Sequence, residues 1–233
     1  MKAIKKYIYN DQSSLWGEPE CIGFGSDDFY VKEIPKQQSK DIIIKHHYSH
    51  KVCNDATTHI HLGIFHDNTL KGVLQFGYAM NPQSCSSIVS GTKIDEYKEL
   101  NRMWIDDDCI EYAESRSISY AIKYIRKKYP KVKWIQSFAD ERCGGLGIVY
   151  QACSFTFFGS HISTFWEFEG ETFHNSRITN GKRNKKAELE ARGFLEKAER
   201  VDLKQFRYIK FLDQREKKKA LLKEEPYPKH YKQ

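Results

Sequence analysis

Asp140 closes the run Ser137-Phe-Ala-Asp, and the carboxyl end of a strand is where open α/β sheets place their ligands. A carboxylate there can serve as a base, hold a metal or cap the next helix. Tyr150 falls three residues inside that helix, where its phenol can donate a proton toward a cleft or simply pack on the sheet. Ser115 and Ser117, in Ala113-Glu-Ser-Arg-Ser, stand at the first turn of another helix, whose unpaired amides form either an anion site or an ordinary cap. Arg142-Cys-Gly-Gly-Leu-Gly147 matches the Arg-x-x-Gly-x-Gly pattern that cradles a pyrophosphate, and a tight packing turn reads the same way.

His46, His47 and His50, with His59, His61 and His66, make a local excess of imidazoles. Two of them plus a carboxylate would build the open facial site typical of iron(II). His46 and His50 share a helical face and His59 and His61 a strand face, so either pair is geometrically available.

The elements that must hold these groups lie between Glu99 and Gly159. Residues 99–104 read as a strand, 115–129 as a helix, 132–139 as a strand, 147–153 as a helix and 155–158 as a strand. That alternation predicts an α/β sheet with crossovers. Ile118, Ile122, Ile125 and Tyr129 give the first helix one apolar face, and Pro130 stops it. Upstream, 21–30 and 31–34 read as short strands and 41–50 as a short helix or turn. Residues 57–66 and 70–78 read as a hairpin turning at Asp67-Asn-Thr, and 81–92 as a loop. Beyond Phe168 the pattern weakens. Residues 187–200 are amphipathic, 206–212 read as one more strand, and the last segment, with Pro226 and Pro228, is expected to fray.

A chain of 233 residues with 39% hydrophobic content predicts one catalytic domain over residues 1–176. Residues 177–233 then form a basic extension, partly helical and packed on the domain or adding a strand to it. They carry 18 Lys and Arg against 9 Asp and Glu, whereas the rest carries 20 against 22. Such asymmetry suits phosphate neutralisation by a nucleic-acid partner, and a solvated helical face with internal ion pairs would look the same. The six cysteines include no Cys-x-x-Cys pair, which excludes a zinc ribbon and a thioredoxin motif, and no apolar run is long enough to span a membrane. A cytoplasmic protein with reduced thiols is expected.

An ordered set of segments resembles one known family. It comprises His47-Tyr-Ser, Glu99-Leu-x-Arg-Met-Trp, Glu114-Ser-Arg-x-Ile-Ser, Trp134-Ile-Gln-Ser-Phe-Ala-Asp and Gly147-Ile-Val-Tyr-Gln-Ala, spread over residues 41–168. The set is similar to the phage Mom DNA-modification proteins, whose fold is like that of the GCN5-related N-acetyltransferases. The resemblance implies a mixed sheet of six or seven strands with helices on both faces, the hairpin at 57–78 supplying its second and third strands. It implies His47, Tyr48, Asp140 and Tyr150 as catalytic residues, Arg102 and Ser115 as cofactor-binding, and His47 with Asp140 as ligands of an iron(II). It further implies an enzyme of a phage or prophage that converts the N6 amine of adenine in double-stranded DNA to a carbamoylmethyl-type group, masking restriction sites. A small-molecule group donor completes the reaction. Between Trp104 and Ser115 the chain has no Arg-x-x-Gly-x-Gly and is acidic, from Asp106 to Asp108, so acetyl-CoA stays one candidate donor among others. The alternative is a CoA-dependent N-acyltransferase acting on a protein or small amine, and the oligomeric state is open, a homodimer included.

Overall fold

Alternation along the strands sets the layers of this molecule. In the computed structural model, which describes residues 4–10, 19–141, 145–175, 189–190 and 192–229, one ten-stranded sheet runs through the chain. Its strands are β1 (Lys6–Tyr9), β2 (Cys21–Gly25), β3 (Phe29–Glu33), β4 (Thr58–His66), β5 (Thr69–Gly77), β6 (Tyr97–Ile105), β7 (Trp134–Asp140), β8 (Thr156–Phe168), β9 (Glu171–His174) and β10 (Glu199–Phe211). The spatial order is β1-β2-β3-β4-β5-β6-β7-β10-β8-β9. All neighbours are antiparallel except β6 and β7, which are joined by the helix α2 (Ala113–Lys128) as a crossover requires.

Ile60, Leu62, Ile64, Leu74 and Phe76 point to the face covered by α2, where Ile118, Ala121 and Ile125 complete the main core. Residues of opposite parity, such as His61 and Gln75, face the helix α1 (Lys36–His46), and both hydrogen-bond its Ser39. Helices therefore cover both faces, as expected of the α/β class. The β4–β5 turn places Asp67 and Asn68 at φ of 46° and 62°, conformations their short polar side chains tolerate.

The expected six or seven strands are ten, and the hairpin forms the fourth and fifth rather than the second and third. Three short strands precede it because Cys21, Phe24, Phe29 and Val31 bury against α2 and so extend the core past the hairpin. The strand expected at 206–212 starts at Glu199 and lies between β7 and β8, paired to both. Residues 177–233 thus supply an inner strand of the sheet. The terminal segment does not fray through residue 229. Glu225 N donates to Phe157 O at 3.0 Å, Tyr227 Oη to Phe155 O at 2.7 Å and Leu221 N to Ile88 O at 2.9 Å. It is held there because those carbonyls would otherwise be left without donors. Of the amphipathic stretch 187–200, the described part holds a one-turn helix at Phe194–Lys197, and the remainder lies outside the described residues. The loop expected at 81–92 contains a 3-10 turn at Pro82–Ser87.

Candidate active site

The parallel ladder between β6 and β7 is short. It pairs Tyr97 with Trp134, Lys98 with Ile135 and Glu99 with Gln136, and there it ends, although β6 continues to Ile105 and β7 to Asp140. Two strands that part in mid-sheet leave a V-shaped opening, and a cleft of about 960 Å³ occupies it. That is the size range of small-molecule sites.

The cleft brings together five of the six residues singled out above: His47, Tyr48, Arg102, Asp140 and Tyr150 all line it. His47 is the residue at which α1 stops, with extended backbone. It is buried, and its ring packs 4.3 Å from that of Tyr48. Its Nδ1 meets the Ser49 backbone N–H at 3.1 Å and the Ser49 hydroxyl at 2.9 Å. Tyr48, half exposed at the mouth, donates its hydroxyl to Asp140 Oδ2 at 3.4 Å. Arg102 donates Nε to Lys51 O at 3.3 Å and Nη1 to Asn101 O at 2.6 Å, which ties the segment after α1 to β6. Lys51 Nζ in turn donates to Thr172 O at 2.6 Å, linking that segment to β9. Tyr150, on the helix α3 (Ile148–Ala152), is buried against Phe155 and Tyr208.

Ser115 is not among the lining residues. It lies in the first turn of α2, its Oγ donating to Tyr112 O at 3.2 Å and its carbonyl accepting from Cys153 Sγ. The glycine-bearing turn is described only from Gly145 onward, and Arg142 to Gly144 lie outside the described residues.

Residues that sequence reasoning passed over form the cleft floor. Glu99 Oε2 accepts from Gln136 Nε2 at 2.7 Å and its Oε1 from Asn101 Nδ2 at 3.2 Å. Gln136 Oε1 accepts from Arg207 Nη1 at 2.9 Å, and the Arg207 guanidinium lies 4.7 Å from the Phe138 ring centre. Enclosure by protein pushes the Glu99 carboxyl up to about 7, against the opposing pull of the Gln136 and Asn101 amides and of Arg207 and Arg102. The same desolvation lowers Arg207, which Glu99 partly restores. A signal for this floor existed in strand parity. Tyr97 and Trp134 read as buried, and Glu99 and Gln136, two residues on, must share their face.

His47 and Asp140 supply two of the three ligands that a facial iron(II) site needs. Among the described residues no three His, Cys, Asp or Glu side chains converge as a metal-ligand set. His59 and His61 lie outside the cleft lining, His59 beside Tyr78 and His61 against Ser39. Among the described residues no helix is long and apolar enough to cross a membrane.

The architecture is similar to that of solved acetyltransferases. A ribosomal-protein-S5-alanine acetyltransferase from Vibrio fischeri is 9% identical at a TM-score of 0.49, covering 82% of this chain and 97% of its own. Arabidopsis thaliana NAA60 in complex with acetyl-CoA is 10% identical at a TM-score of 0.48, covering 79% of this chain and 99% of its own. In sequence, the chain is 45% identical over 231 residues to the methylcarbamoylase mom of Escherichia phage Mu, covering 98% of this chain and 95% of that one. The model of the Mom protein family matches residues 28–229. By both matches, this chain belongs to the Mom protein family.

Proposed function

We propose that this chain modifies the N6 amine of adenine in double-stranded DNA with a carbamoylmethyl-type group, protecting phage DNA from restriction. The observation that carries the reading is the convergence of His47, Tyr48, Asp140 and Tyr150 on one cleft whose floor holds the carboxyl of Glu99. The relationship to a methylcarbamoylase of phage Mu points the same way.

The adenine amine is a weak nucleophile because its lone pair is conjugated with the ring, and it lies inside the duplex. The base is therefore everted into the cleft, at a cost of about a few kcal/mol. Tyr48, exposed at the mouth, offers a ring on which it stacks. Glu99 takes one N6 proton as the nitrogen bonds to the electrophilic carbon of the donor. The bond from that carbon to its leaving group breaks with its electron pair, and Tyr150 supplies the proton that the leaving group needs. A carboxyl near neutrality is matched to this task, since general-base efficiency is greatest when the pKa lies near the working pH. His47, held by Ser49, and Asp140, held by Tyr48, orient the donor. The positive charge of residues 177–233 supplies phosphate contacts.

Mass spectrometry of nucleosides from the DNA of cells expressing the chain tests this directly. A heavier adenosine, with the mass of the added group, is expected. Unmodified nucleosides, together with stabilisation of the purified protein by acetyl-CoA and no affinity for DNA, would replace this reading by N-acyl transfer to another amine.

A further inference from the structure

Three buried side-chain polar atoms have no hydrogen-bond partner among the described residues: His61 Nε2, Ser137 Oγ and Gln205 Nε2. An amide donor taken out of water and left unpaired is destabilising, so each such group asks for an explanation. His61 and Ser137 lie away from the cleft, and Gln205 lines it. Gln205 sits on β10, its Cα paired with Asp140 on one side and His161 on the other, two residues from Arg207. A second glutamine on the same floor shows what a satisfied amide looks like here. Gln136 spends its Oε1 on Arg207 and its Nε2 on Glu99. Gln205 is thus a cleft residue whose amide donor is still unspent among the described residues.

A carboxamide presents a donor and an acceptor side by side, which complements the N7 acceptor and N6 donor that adenine displays side by side. We infer that Gln205 reads the everted base along that edge, its Nε2 donating to N7 and its Oε1 accepting one N6 hydrogen. The inference rests on adenine in DNA being the substrate. Gln205 is then a specificity-determining residue contributed by the segment farthest along the chain.

The test uses DNA fragments amplified with either dATP or 7-deaza-dATP. The 7-deaza base keeps its pairing edge and its amine but lacks the N7 acceptor, and its ring is more electron-rich, so intrinsic reactivity would not slow it. The purified full chain is supplied with a low-molecular-mass extract of host cells as the source of donor, and modified nucleosides are quantified. The wild-type chain should modify the adenine fragment roughly ten-fold faster than the 7-deaza fragment, the loss expected for one neutral hydrogen bond in a bidentate pair. Gln205→Ala should be slower on adenine and should treat the two fragments alike, and its melting temperature should equal or exceed that of the wild type because an unpaired amide is gone. Equal wild-type rates on the two fragments, or a Gln205→Ala variant that keeps the preference, would overturn the assignment. A wild-type chain that modifies neither fragment would overturn the proposed function itself, which is a different result.

Discussion

One face of the sheet carries two regions of opposite character. At one end Tyr97, Trp134, Ile209 and Phe211 pack with Ala79, Val89 and Phe158 into a closed apolar cluster. A few residues along the same strands, and on the same side of them, stand Glu99 and Gln136, then Arg207 and Phe138, then Gln205 and Asp140. The two ends share strands, parity and register, and differ in what lies between β6 and β7. Where the ladder is paired, side chains close over each other and water is excluded. Where it ends at Glu99 and Gln136, the strands part and polar groups meet around an opening. Substitutions in the first region should therefore cost stability, and those in the second should cost chemistry.

The comparison breaks completely if β10 is removed, because that strand contributes Ile209 and Phe211 to one region and Gln205 and Arg207 to the other. A chain ending at residue 198 should give no cooperative thermal transition, since β7 and β8 both lose the strand that joins them. A truncated protein that still melts cooperatively would show that the two regions stand without it.

Glu99→Gln sharpens the contrast next. Modification should fall by about 10²–10⁴, the range for loss of a general base. The wild-type rate should climb as pH rises through about 7, where the carboxylate forms, and this limb should vanish in the variant. The sign for stability is opposite. A carboxyl whose pKa is raised in the folded state favours folding below its ordinary range, and that advantage is lost as pH rises toward about 7. Glu99→Gln should accordingly melt higher than the wild type at pH 8 and not at pH 4.

Trp134→Ala addresses the other end. Trp134 is fully buried, stacks 4.9 Å from Tyr97 and donates Nε1 to Thr92 Oγ1 at 3.1 Å. Its loss should cost about 3–5 kcal/mol in denaturant unfolding, with the residual folded fraction keeping its rate per molecule. The smallest effect is expected from Tyr48→Phe. Removing the 3.4 Å bond to Asp140 while keeping the ring should lower the modification rate a few-fold, whereas Tyr48→Ala, which also removes the stacking surface, should do so by more. Equal losses in both variants would assign the whole effect to the hydroxyl.

Much of this was legible in the residues themselves. The crossover unit from β6 to β7 follows from the apolar periodicity of Ile118, Ile122 and Ile125 and from the stop at Pro130. The hairpin follows from Asp67-Asn68 between alternating strands. The placement of β10 was not legible, because a strand inserted between β7 and β8 from far along the chain is specified by partners remote in sequence, and local pattern carries no record of them. For the same reason Arg207 and Gln205 went unseen as site residues. Glu99 and Gln136 were in view only as parts of longer segments, and extending the strand back to Tyr97 would have placed them on one face with it and Trp134. What gave Glu99 its chemistry, its enclosure by Gln136, Asn101 and Arg207, exists only once three strands have come together. Ser115 shows the converse. Its position in a helical first turn was legible, and its distance from the cleft lining was not.

The central claim is that the opened end of this sheet face performs chemistry on adenine. Its most direct test is nucleoside mass spectrometry on DNA from cells expressing the wild type, Glu99→Gln or His47→Ala, each first shown to melt cooperatively and to bind DNA. A heavier adenosine should appear with the wild type alone, and equal yields from all three chains would contradict the account.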